Sequence, residues 1–110
     1  MKIAPGPDFR ANLQLLPPVT DVLRIELADA SGAPAGVIEN QPGKQGSLAV
    51  YQYLAQCFGV IDAAAAEHGL AVFGEHVADA RARPGAHPNI DRLLAIAAGG
   101  APLQVRIVRV

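Results

Sequence analysis

The chain has no tryptophan, one cysteine and one methionine, and only two tyrosines and three phenylalanines among its 110 residues. Each scarcity removes a class of protein. A single thiol, Cys57, excludes an internal disulfide and any cysteine-rich metal cage. Beside Phe58 on a helical pattern, it is expected to be a buried, inert side chain. A basic stripe is also missing. Nine Lys and Arg stand against ten acids for a net charge of −1, and the only local basic groups are Arg81/Arg83 and Arg106/Arg109. Phosphate contacts supply most non-specific affinity for nucleic acid and need concentrated positive charge, so no nucleic-acid partner is expected. No apolar run approaches the roughly 18 residues that span a bilayer, and residues 1–7 lack the continuous apolar segment of a secretory signal. No membrane partner is expected, and the expected location is the cytoplasm.

What is present suffices for one core. Hydrophobic residues make up 51% of the chain, but many are alanines, each burying about one methyl group, on the order of 0.8 kcal/mol. Residues 1–110 therefore read as a single domain, with residues 1–7 a loose arm broken by Pro5, Gly6 and Pro7. Asp8 can cap a short helix carrying Phe9, Leu13 and Leu16, which Pro17-Pro18 end. Leu23, Ile25 and Leu27 alternate with Arg24 and Glu26, predicting a strand over 22–28. Turn residues 29–32 and a return strand over 36–39 complete a β-hairpin.

After the turn-rich loop 40–46, Ser47 is placed to cap a helix bearing Leu48, Tyr51, Leu54 and Phe58. Gly59 interrupts it, and Val60, Ile61, Ala64 and Ala65 predict a second helical stripe closing at His68-Gly69. The continuous apolar run 70–73 predicts a buried strand. Residues 74–86 fit either helix or loop. Ile90, Leu93, Leu94 and Ala97 predict a helix opening at Pro88, and residues 103–110 predict a last strand. Strands separated by helices favour parallel pairing. The expected fold is thus α/β (or α+β), a four-stranded mixed sheet beginning with a hairpin and packed by three or four helices.

Chemistry has few places to sit. In the loop 39–47, a glycine-rich turn feeding a helix N-terminus suits an anion, with Glu39, Lys44 and Ser47 as candidate ligand-binding residues. It is not a phosphate-binding P-loop: Gln45 follows Gly43-Lys44, and Ile38 stands where the first glycine is required. The second place is 74–79. His76 and Asp79 at i, i+3 could share a helix face, an imidazole oriented by a carboxylate being the core of a general base. Glu75, His76 and Asp79 are the candidate catalytic residues. If the strands before the two loops are parallel neighbours, both loops leave one sheet edge and converge. Against this, no serine or cysteine pairs obviously with His76, His68 reads as a helix-end cation, and Gly85 to Leu94 is explained as a helix start. No metal site and no cofactor are implied.

The strings Ile38-Glu39-Asn40-Gln41-Pro42-Gly43-Lys44-Gln45-Gly46-Ser47 and His87-Pro88-Asn89-Ile90-Asp91-Arg92-Leu93-Leu94, with the alanine-rich helix between them, resemble a family of small bacterial proteins catalogued only as a domain of unknown function. The resemblance implies a bacterial protein and brings no activity, cofactor or site residue. With no complete catalytic constellation, the sequence favours a small cytoplasmic binding or interaction module without catalytic activity. Such a module could be a homodimer whose last strand, through Val108 and Val110, extends a sheet between subunits. The alternative is a ligand-binding protein or enzyme that handles an anionic metabolite at the loops 39–47 and 74–79.

Overall fold

In the computed structural model, which describes residues 2–110, the first strand lies where the alternation puts it: β1 is Val22–Ala28. Ile25 and Leu27 are buried, and Arg24 and Glu26 are half-exposed on the opposite face. A bulge between Val22 and Arg24 breaks strict alternation, burying Val22 and leaving Leu23 45% exposed. The hairpin turn is held by Asp29, whose carboxylate accepts hydrogen bonds from the Ser31 and Ala33 amides. It leads into β2, Pro34–Glu39.

With β3 (Val60–Ile61) and β4 (Leu103–Arg109), the sheet has the order β2-β1-β4-β3. The class and the four strands are as expected, with a hairpin first. All three pairings are antiparallel, however, so the sheet is antiparallel rather than mixed, and the class is α+β. The reason lies in the alternation itself. One face carries Arg24, Glu26, Glu39 and Arg106, with Arg24 opposite Glu39 and Glu26 opposite Arg106. A parallel sheet is covered on both faces, whereas an antiparallel one can leave a charged face in water.

Among the described residues there are five helices rather than three or four: α1 (Phe9–Leu13), α2 (Gln45–Phe58), α3 (Ala63–Phe73), α4 (His76–Ala82) and α5 (Pro88–Ala97). Asp8 caps α1 as expected, accepting from the Arg10 amide at 3.1 Å, and Pro88 opens α5. α2 is the central helix, with every residue from 48 to 54 buried, far beyond the single stripe of its sequence pattern.

α3 departs most from expectation. Asp62 caps it through the Ala65 amide, and it runs through His68-Gly69 without stopping. The expected strand 70–73 is its last turn, and the expected stripe residues Val60 and Ile61 form β3 against Gln104 and Leu103. Gly69 is a packing residue. A Cβ there would meet the Leu54 and Leu93 methyls at 2.8 and 2.9 Å. The helix stops at Gly74, whose φ of 60° with ψ of −127° is a backbone state L-residues avoid.

Residues 2–7 have no regular secondary structure but are pinned rather than loose. Ile3 N–H donates to Tyr53 Oη at 2.7 Å, Gly6 exchanges two hydrogen bonds with Asn12, and Glu75 N–H donates to the Pro7 carbonyl. Met1 lies outside the described residues. Tyr53 Oη also bonds His68 Nε2 at 2.7 Å, so His68 packs in mid-helix and is not a helix-end cation. Partial burial, then the nearby Lys2, push the His68 pKa down. Cys57 is half-buried. Among the described residues no helix is long and apolar enough to cross a membrane.

Candidate functional site

α2 begins at Gln45, two residues before the expected cap. Ser47 is therefore its third residue, and Lys44 in the cap position supplies no side-chain hydrogen bond. The first amides of a helix have no internal acceptor, and among the described residues no backbone carbonyl meets those of Gln45, Gly46 or Ser47. Against this turn lies α1. A Cβ on Gly46 would sit 3.1 Å from the Phe9 ring, so glycine is what lets the phenyl close in. Phe9 stacks on Phe73 at 5.1 Å between centroids and takes the edge of His76 at 5.1 Å and 87°.

The chain then folds back from α4 into α5 through a tight turn, closed by the Gly85 amide donating to Asp91 Oδ2 at 2.9 Å. This brings His87 beside α4, with its ring 6.0 Å from that of His76. Asp79 does not pair with His76, its expected partner. It bonds His87 Nε2 through Oδ2 at 2.6 Å and is gripped from the other side by the Arg83 guanidinium. Those contacts, Arg83 first and His87 second, hold its carboxyl far below the usual carboxylate range.

Between these elements opens a cleft of roughly 660 Å³. Its apolar wall is Phe9, Leu13, Ile38, Phe73 and Ile90, and its polar wall holds Lys44, Ser47, His76, His87, Asn89 and Arg92. No aspartate or glutamate lines it. Arg92 donates to Asn89 Oδ1 at 2.9 Å and Tyr51 Oη at 3.2 Å, both neutral acceptors. Neither Lys44 nor Arg92 has a carboxylate within ion-pair distance among the described residues. Tyr51 in turn donates to the Asn89 carbonyl at 2.6 Å, and burial pushes its phenol up in pKa.

Of the residues singled out from sequence, Lys44, Ser47 and His76 share this cleft. Glu39 sits opposite Arg24 in the sheet. Glu75 accepts the Phe9 amide at 2.7 Å, a contact that anchors α1 and lowers the carboxyl's pKa. Asp79 reaches the cleft only through His87. His87 and Arg92 were not singled out. The signal for His87 was the Pro84-Gly85 turn, which reverses the chain so that a residue eight positions on returns to Asp79. Among the described residues no three His, Cys, Asp or Glu side chains converge to hold a metal ion.

No curated protein and no solved structure matches the chain. A family model does match, over residues 9–107, a span holding the whole cleft wall. The chain thus belongs to the bacterial family described as "Uncharacterized protein conserved in bacteria (DUF2322)".

Proposed function

We propose that this protein binds a small anionic metabolite in the cleft between the start of α2 and the α4–α5 turn. One observation carries the reading: in a chain of net charge −1, the cleft wall gathers Lys44, Arg92 and two histidines and no carboxylate. A surface cation with no internal counterion is available to a ligand. At the effective dielectric near a protein surface, one cation attracts an anion about 4 Å away by roughly 4 kcal/mol before desolvation is subtracted. The free amides of α2 add the positive end of a helix dipole. The apolar wall suits a ligand with an uncharged body beyond its anionic head. A cytoplasmic setting is part of this reading.

The test is an NMR titration with inorganic phosphate and, separately, sulfate. Saturable shifts are expected at the Gln45, Gly46 and Ser47 amides and the His76 ring, with Lys44→Ala weakening binding about tenfold, equivalent to about 1.4 kcal/mol. Lys44 is exposed, so the variant should melt like the parent. Shifts elsewhere, or none in the cleft, would discard the site.

A second reading is an interaction module that pairs its sheet with a second copy. It is supported by β4, which pairs with β1 along its length but with β3 only at Leu103 and Gln104. Its edge over residues 105–109 has no backbone partner on the β3 side among the described residues. Such open edges accept another strand. Sedimentation should then give twice the 11.4 kDa chain mass, falling to one on Val108→Lys. A monomer at 100 μM, on the order of working concentrations for weak dimers, would remove this reading.

A further inference from the structure

Asp79 does not line the cleft, yet it decides what His87 presents there. Arg83 Nε donates to Asp79 Oδ1 at 2.9 Å and Nη2 donates to Oδ2, so the carboxylate stays ionised. An ionised carboxylate only accepts hydrogen bonds. The 2.6 Å contact therefore places a proton on His87 Nε2. In the neutral ring the lone pair is then on Nδ1. No described group bonds that nitrogen, and the side chain belongs to the cleft wall and is 28% exposed.

We infer that His87 is a hydrogen-bond acceptor for the bound ligand, and that the cleft selects oxyanions that keep an acidic O–H at neutral pH, as inorganic phosphate does. The inference rests on the anion-binding reading and narrows it. Lys44, Arg92 and the α2 amides are all donors and suit the charged oxygens. Nδ1 is an imidazole lone pair among them and suits an O–H. An oxyanion without a proton, such as sulfate, would set a negative oxygen against that lone pair, whereas phosphate keeps an O–H at neutral pH. Discrimination of this kind is large where a buried polar group would otherwise be left unmatched. Asp79 is a positioning residue. It fixes the tautomer.

Two measurements test this. Long-range 1H–15N spectra of the free protein at pH 8 should show His87 as the Nε2–H tautomer. Asp79→Asn should admit the other tautomer, because an amide can donate as well as accept. Titrations at matched ionic strength should show phosphate binding at least tenfold tighter than sulfate. The ratio should fall to about one in His87→Phe and recover in part in His87→Asn, whose carbonyl lies near the Nδ1 position. An Nδ1–H tautomer in the parent protein, or equal binding of the two anions, would overturn the inference and leave the anion site standing. If neither anion binds, the anion site and the inference fall together. The tautomer and the ratio are both read on the unsubstituted chain, so a variant that fails to fold does not rescue the inference.

Discussion

Leucine in place of Gly69 is expected to cost about 3 kcal/mol and lower the melting temperature by roughly 12–24 °C. α3 is packed against both α2 and α5, and Gly69 is the point where Leu54 and Leu93 close on its backbone. Both leucines are fully buried, so neither can swing a methyl into solvent. A first carbon would already stand 2.8–2.9 Å from them, and three further carbons would force the helices apart. Alanine makes a useful companion. It regains about 1 kcal/mol of helix propensity over glycine and meets only the two methyl contacts, so a small net change is expected. Thermal melts followed by circular dichroism decide it. A leucine variant melting within a few degrees of the parent would mean the three-helix contact has room that the geometry does not show.

Gly69 also shows why the sequence misled. Beside His68, it has the appearance of a helix end, because glycine after a cation commonly terminates a helix. Once the helix is stopped there, the apolar run 70–73 can only be a strand. A short apolar run has no periodicity to separate buried strand from buried helix, and here tertiary packing chose helix. The same glycine in an unbroken helix means close approach, which depends on Leu54 and Leu93 from distant parts of the chain. Elements that alternate or cap locally were legible. β1, the hairpin, the Asp8 cap and the Pro88 start all rest on neighbours within a few residues.

The cleft was half legible for the same reason. Lys44, Ser47 and His76 were singled out because glycine-rich helix starts and isolated histidines carry a local signature. The parallel-edge argument that joined them fails, since every strand pairing is antiparallel. What joins them is α1, laid across both segments through Phe9, Gly46 and Glu75. His87 and Arg92 lay hidden because a helix start accounted for them completely. Their second roles depend on Asp79 across a turn and on Tyr51 from α2.

That dependence on α1 makes Asn12 the next substitution to test. A five-residue helix has little stability of its own, since nucleation costs more than so few hydrogen bonds return. Asn12 is 2% exposed, and both its amide hydrogens and its carbonyl oxygen are engaged. Its Nδ2 donates to the Gly6 and Val72 carbonyls at 2.9 Å, and its Oδ1 accepts the Gly6 amide at 2.9 Å. Val72 lies in the last turn of α3, where carbonyls lack helical partners, so Asn12 satisfies a group that α3 cannot. Asn12→Ala leaves that carbonyl buried and unpaired, while exposed Gly6 can turn to water. The expected loss is about 2 kcal/mol, or roughly 8–16 °C in melting temperature. Asn12→Asp should lose more. It keeps the acceptor for Gly6 N–H but sets a negative charge against the Val72 and Gly6 carbonyls. In both variants, amides of α1 should exchange with solvent well before global unfolding, and Phe9 should no longer hold its place on Phe73 and His76. Phosphate titration of Asn12→Ala below its melting range should then show weaker shifts at His76, although residue 12 is not part of the cleft wall. Unchanged exchange in α1 would mean that Glu75 and the Phe9 stack hold the helix without it, and the cleft would not depend on Asn12.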